Sequence, residues 1–112
     1  MFQKALFCFL LLTALSSQAF ADSSAILYGA VTHNGQPLPN ALVTIIGEAT
    51  YTSKTVMTNE NGVYVIDKLK ADEYIIRALA QPEGVYSPAE QNIFLENGKE
   101  KEVNFSMKKT SE

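Results

Sequence analysis

The 112-residue chain contains no tryptophan and only one histidine (His33), one cysteine (Cys8) and one arginine (Arg77). Each scarcity removes a class of chemistry. Cys8 lies in an apolar run near the N-terminus, so the remainder of the chain has neither a thiol nucleophile nor a disulfide. A solitary histidine just before Asn34-Gly35, with no clustered ligands beside it in sequence, reads as a solvated loop residue rather than a base or metal ligand. No Gly-x-Ser-x-Gly elbow is present. Acidic neighbours occur at Asp72-Glu73 and at Glu100 with Glu102, but glycoside hydrolysis needs two carboxyl groups facing each other across a cleft, and adjacent acids at turns serve solubility. No catalytic, cofactor-binding or metal-binding residue is therefore expected, and the chain is not expected to be an enzyme. Positive charge is scarce as well. The formal net charge is −3 and no basic stripe is visible, which argues against nucleic acid and anionic lipid as partners.

The one long apolar run is N-terminal. Met1-Phe2-Gln3-Lys4 is a short positive segment, residues 5–15 are almost unbroken apolar, and Ser16-Ser17-Gln18 leads into Ala19-Phe20-Ala21, an A-x-A site. The run is too short to span a bilayer. It reads as an export signal over residues 1–21, cleaved after Ala21, which places the product in the periplasm or outside the cell. Cys8 sits in the middle of the run, not after it, so it belongs to the discarded segment rather than to a lipid-attachment site. A domain over residues 22–107 and a loose polar tail over 108–112 are then expected. An exported domain of this size without disulfides must stand on its own apolar core.

That domain reads as β throughout. Apolar and β-branched runs recur about every ten residues at positions 25–32, 41–47, 51–58, 63–66, 74–80, 92–96 and 102–107, and no segment holds a 3.6-residue period. Asn34-Gly35 and Asn97-Gly98 are strong turn signals, and Pro37 and Pro39 hold an extended connection. Seven short strands suit two packed antiparallel sheets. Alternation assigns Leu27, Gly29, Val31, Val43, Ile45, Tyr64, Ile66, Leu69, Tyr74, Ile76, Ala78, Ile93, Leu95, Val103, Phe105 and Met107 to the interior.

Several elements together resemble the carboxypeptidase regulatory-like domains: Tyr28-Gly29-Ala30-Val31; Gly35-Gln36-Pro37-Leu38-Pro39-Asn40-Ala41-Leu42-Val43; Thr58-Asn59-Glu60-Asn61-Gly62-Val63-Tyr64; Leu69; and Tyr74-Ile75-Ile76. The resemblance covers about positions 26–107. It implies an all-β, seven-stranded antiparallel Greek-key sandwich of transthyretin-like type. In this family the domain usually accompanies a metallocarboxypeptidase, an outer-membrane receptor or a surface protein. Asp72 stands where the family usually has glycine before its fifth strand, so a turn with a left-handed residue at Asp72 is expected. The same fold includes hydroxyisourate hydrolases, which use several histidines, an arginine and a C-terminal Tyr-Arg-Gly-Ser. This chain ends Lys109-Thr110-Ser111-Glu112, so the resemblance does not carry that catalysis. Related surface sandwiches join their first and last strands by a Lys–Asn cross-link. Asn104 invites the comparison, but residues 22–42 contain no lysine to donate. Asn104-Phe105-Ser106 is also a glycosylation sequon, of consequence only in a eukaryote.

Asn59-Glu60-Asn61-Gly62 looks like half of a calcium loop, yet it offers one carboxylate where such a loop needs several, and it reads as a chain reversal. The more informative residues are apolar ones on the outward side of the pleat. Leu42, Ile46, Ile75 and Leu79, with Arg77 between the last two, are expected to share one exposed face. Ile26, Tyr28, Val63 and Val65 are expected to do so on the opposite sheet. The competing expectation is that the 81–91 segment covers the first group. The function expected is a non-catalytic module mediating protein–protein interaction or assembly in the cell envelope, its partner another envelope or secreted protein or a second copy. The alternative is a carbohydrate-binding module, with Tyr51, Tyr86 and Phe94 as the available stacking platforms.

Overall fold

The structure, a computed structural model, describes residues 24–111. The segment read as an export signal, with Cys8 and the cleavage site, lies outside the described residues. Within them there is no helix, and hence none long and apolar enough to cross a membrane. The strands are β1 (Ala25–His33), β2 (Gln36–Pro37), β3 (Leu42–Gly47), β4 (Ser53–Met57), β5 (Val63–Leu69), β6 (Asp72–Leu79), β7 (Ala89–Leu95), β8 (Glu100–Glu102) and β9 (Phe105–Ser106).

They form two sheets. One has the order β4-β3-β6-β7 and is antiparallel throughout. The other is built on β1, which pairs antiparallel with β2 and β5 and parallel with β8 and β9. The result is the expected sandwich. Seven principal strands are present, with β2 as an added two-residue segment and the last strand divided into β8 and β9.

The division has a local cause. A Cβ on Gly29 would fall 1.8 Å from the Val103 carbonyl oxygen, so the final strand crosses β1 at a point where only glycine leaves room. Val103 N–H still donates to the Tyr28 carbonyl at 2.8 Å, and the Ala30 N–H is then taken by the Asn104 side-chain oxygen, also at 2.8 Å. Pairing resumes at Phe105 opposite Val31. This last strand runs parallel to β1, a departure from the all-antiparallel expectation. The chain reaches it by crossing over from the other sheet instead of by a hairpin, which leaves its direction free of the antiparallel constraint.

Every residue assigned inward is buried except Ile93, which is partly buried against the same core. Alternation succeeds because each sheet has one wet and one dry face. Tyr64 and Tyr74 are the largest fully buried side chains. Their hydroxyls donate to the Val103 carbonyl at 2.6 Å and the Lys70 carbonyl at 2.7 Å, so neither polar tip is stranded in the core.

The 58–64 stretch is a chain reversal joining β4 in one sheet to β5 in the other. The Asn59 side-chain oxygen accepts from the N–H groups of Asn61 (2.9 Å) and Val63 (3.0 Å). Gly62, at φ 73°, sits where a Cβ would meet the Val31 carbonyl oxygen at 2.8 Å. The carboxamide that gave the stretch its cation-loop look is thus occupied by the backbone.

Three expectations need correction. Asp72 is not left-handed: it opens β6, and the positive φ of this connection falls on Lys68, at 57°. The strand expected from residue 92 begins at Ala89. The tail is not loose through Thr110. Lys108 accepts from Ser87 N–H at 2.8 Å, and Thr110 N–H donates to Val85 at 2.9 Å, pinning the tail to the 81–88 segment.

Candidate functional site

The registers place Leu42, Ile46, Ile75, Arg77 and Leu79 on the outer face of the β4-β3-β6-β7 sheet. Leu42 lies opposite Leu79 and Met57, Thr44 opposite Arg77 and Thr55, and Ile46 opposite Ile75 and Ser53. The face therefore reads as rows across the sheet. One apolar row is Met57, Leu42 and Leu79. A polar row follows, where the Thr44 and Thr55 hydroxyls bond at 2.9 Å and Arg77 Nε lies 3.3 Å from Glu90 Oε2. Ile46 and Ile75 make the next row, and Phe94 stands beyond it opposite Glu73. Met57 (56%), Ile46 (48%) and Leu79 (37%) are exposed, whereas Leu42 and Ile75 are half-buried. The Arg77–Glu90 pair is more than half exposed on both sides, so it contributes at most about 1 kcal/mol. Its effect is to divide the apolar surface into two ends. Met57, which extends the first row, escaped sequence reasoning because β4 has no clear in–out alternation in its composition.

The Leu42–Leu79 end continues into a cavity of about 420 Å³ whose walls include Leu42, Leu79, Ala80, Tyr86 and Pro88. This volume lies within the usual range for small-ligand sites, roughly 300–1,000 Å³. The 81–88 segment forms its rim rather than a lid over the sheet, so the expected cover is partial. On the opposite sheet Tyr28 pairs with Val65 and Ala30 with Val63, and Glu100 and Glu102 lie beside Ile26 and Tyr28. Val65 is 56% exposed, and Ile26 and Tyr28 are half-buried.

The three candidate stacking aromatics do not form a row. Phe94 and Tyr51 are exposed at the end of the sandwich where β6 begins; Tyr51 lies in the β3–β4 turn. Tyr86 is half-buried at the other end, its ring edge-on to His33 with centroids 5.3 Å apart. The Met107 carbonyl can only accept, so His33 Nδ1 donates to it at 2.9 Å. His33 is thereby a strap between the end of β1 and the last strand. Among the described residues no group of three or more His, Cys, Asp or Glu side chains is arranged to hold a metal ion.

The side chain with the most unusual surroundings is Asp72, which is buried. Its carboxylate accepts from the N–H groups of Ala49 (3.0 Å), Thr50 (2.9 Å) and Glu73 (2.7 Å) and from the Thr50 hydroxyl (2.8 Å). The Thr50 N–H bond, with the remaining donors, holds its pKa below the ordinary aspartate value despite burial. The aspartate at the family's glycine position is thus a clasp, fastening the β3–β4 turn to the start of β6. Tyr64 moves the other way: burial first, then the charge of Glu102, pushes its phenol above the usual range.

Comparison with known proteins agrees with this architecture. The carboxypeptidase regulatory-like domain model matches residues 26–108, and the chain belongs to that family. No curated protein matches it significantly. Among solved structures, the Bacillus anthracis TIE protein is 26% identical with a TM-score of 0.61, the match covering 78% of this chain and 17% of that one. A candidate carbohydrate-binding protein from Bacteroides uniformis is 15% identical (TM-score 0.57), with 74% and 40% covered. The 3-chlorocatechol 1,2-dioxygenase of Rhodococcus opacus is 11% identical (TM-score 0.62), with 79% and 61% covered. At such identities the last two share the fold alone. This chain spans less than two thirds of each of these proteins.

Proposed function

We propose that this chain is an exported, non-catalytic sandwich module that binds a protein of the cell envelope, or a second copy of itself, through the outer face of the β4-β3-β6-β7 sheet. The observation that carries the reading is the row Met57-Leu42-Leu79 running into the neighbouring cavity: contiguous apolar surface on a small domain marks an interface. Leu42, Ile46, Ile75, Arg77 and Leu79 are its proposed contact residues. Membership of a family without a shared catalytic constellation in this chain supports a binding role over an enzymatic one.

The test uses the exposed members of the face, because charging a half-buried residue confuses unfolding with loss of binding. An Ile46→Lys/Leu79→Lys double variant should keep its circular dichroism spectrum and lose the proteins that the wild type retains from envelope extract. Retention of the same set by the variant ends this reading. Export itself is checked by N-terminal sequencing of the mature protein, which should begin at Asp22.

A second reading, carbohydrate binding, is favoured by the exposure of Tyr51 and Phe94 at one end of the sandwich and by the likeness to the Bacteroides uniformis protein. It predicts retardation of the wild type, but not of a Tyr51→Ala/Phe94→Ala variant, in polysaccharide-containing gels.

A further inference from the structure

The described chain contains three Asn-Gly pairs, Asn34-Gly35, Asn61-Gly62 and Asn97-Gly98, all at reversals of the chain. Asn-Gly is the dipeptide most open to self-modification. The backbone nitrogen of the glycine attacks the asparagine side-chain carbonyl carbon, the new C–N bond closes a succinimide ring, and the side-chain nitrogen leaves as ammonia. Water then opens the ring at either carbonyl, leaving aspartate or isoaspartate in the chain. Nothing else is consumed. The attack requires a glycine nitrogen that is not engaged elsewhere, and a turn that can rotate to bring it onto the carboxamide carbon.

The three sites differ in these requirements. At Asn61 the Gly62 nitrogen donates to the Asn59 carbonyl at 2.9 Å, and Asn61 N–H is held by the Asn59 side chain. Gly62 is also buried, with no room to swing past the Val31 carbonyl. At Asn97 the side-chain oxygen accepts from Ala71 N–H at 3.3 Å, which restrains the carboxamide although Gly98 stands in the open. At Asn34 neither restraint exists. Asn34 and Gly35 are exposed, with φ of 50° and 80°, and form the two-residue loop between β1 and β2. In such a loop the flanking residues close the hairpin and the glycine N–H is left over; no hydrogen bond from it occurs among the described residues. Nothing lies within 4 Å of where a Gly35 Cβ would be, so the loop has space to rotate. The Asn34 side-chain nitrogen, the leaving group, is 3.3 Å from His33 Nε2.

We infer that Asn34 is a site of spontaneous deamidation in the folded protein, that Asn97 converts more slowly, and that Asn61 is protected by the fold. Conversion places a carboxylate beside His33 and, as isoaspartate, inserts one extra backbone carbon into the β1–β2 loop. The end of β1 that His33 ties to Met107 is the part that changes.

The test is timed incubation of the purified folded protein at mildly alkaline pH, followed by peptide mapping with mass spectrometry. A gain of one dalton should accumulate first on the peptide carrying Asn34, with an isoaspartyl methyltransferase labelling the same peptide. In denaturant the three sites should convert at similar rates, since all are Asn-Gly. A Gly35→Ser variant should slow conversion at 34 severalfold; if that variant misfolds, the contrast between folded and denatured wild type still decides. The inference is overturned if the Asn61 peptide converts as fast as the Asn34 peptide in the folded state. It is equally overturned if Asn34 stays intact there while the denatured chain converts.

Discussion

The Asp72 carboxylate is met by donors from Ala49, Thr50 and Glu73, so its ionised form is bound by the folded chain and by nothing comparable in the unfolded one. Its pKa is lowered on folding. The stabilisation it provides is then complete above the ordinary aspartate value, about 3.9, and is lost as pH falls through the lower folded value. Asp72→Asn should lower the urea midpoint at neutral pH, and the gap to wild type should close in acid; equal gaps at both pH values would contradict the clasp. Gly29 makes the opposite kind of demand, for absence of a side chain. A Gly29→Ala methyl would overlap the Val103 carbonyl, and the last strand would have to move. The expected cost is on the order of 3 kcal/mol in urea unfolding, the upper end for overpacking. Tyr64→Phe keeps the ring and removes only the bond to the Val103 carbonyl, so about 1 kcal/mol is expected from the same measurement.

At the scale of elements, the final strand is the one whose role composition conceals. β8 and β9 are only three and two residues long. Yet Val103, Phe105 and Met107 all enter the core, and Asn104 supplies through its side chain the bond that the interrupted ladder lacks. Each such side chain contributes about 1.5–3 kcal/mol on burial, against a total stability of roughly 5–15 kcal/mol for a domain. Truncation after Glu102 should therefore abolish cooperative unfolding, as read by near-ultraviolet circular dichroism, whereas removal of Ser111 and Glu112 should not. The two flanks of the sandwich are also strapped across. Lys54 Nζ donates to the Asp67 carbonyl at 3.1 Å, and Gln91 Nε2 to the Asn104 carbonyl at 2.9 Å. Both straps come from the edge strands of the four-stranded sheet and reach the other sheet.

For the whole molecule, the apolar surface outside the core lies on both outer faces, and the polar row of Thr44, Arg77 and Glu90 divides one of them. A face that joins copies of the chain should show as a concentration-dependent elution volume on a sizing column, abolished by Ile46→Lys/Leu79→Lys. A face meant for another protein leaves the wild type at the monomer position at all concentrations. In either case the double variant should unfold within about 0.5 kcal/mol of wild type, since it alters exposed positions remote from the core.

The interior was legible from residue order because pleat alternation is local: a strand with one dry face must place alternate side chains there, and the sixteen residues assigned inward are buried or packed on the core. The glycine and proline punctuation, with the family's two conserved-looking turn elements, was local in the same way and sufficed for the sandwich. Long-range partnership was not legible. That Asp72 clasps the β3–β4 turn, that Asn104 replaces a ladder bond of β1, that Met57 joins the Leu42–Leu79 row, and that three identical Asn-Gly pairs differ in freedom all depend on segments distant in sequence. Only the packing of one sheet on the other brings those segments together.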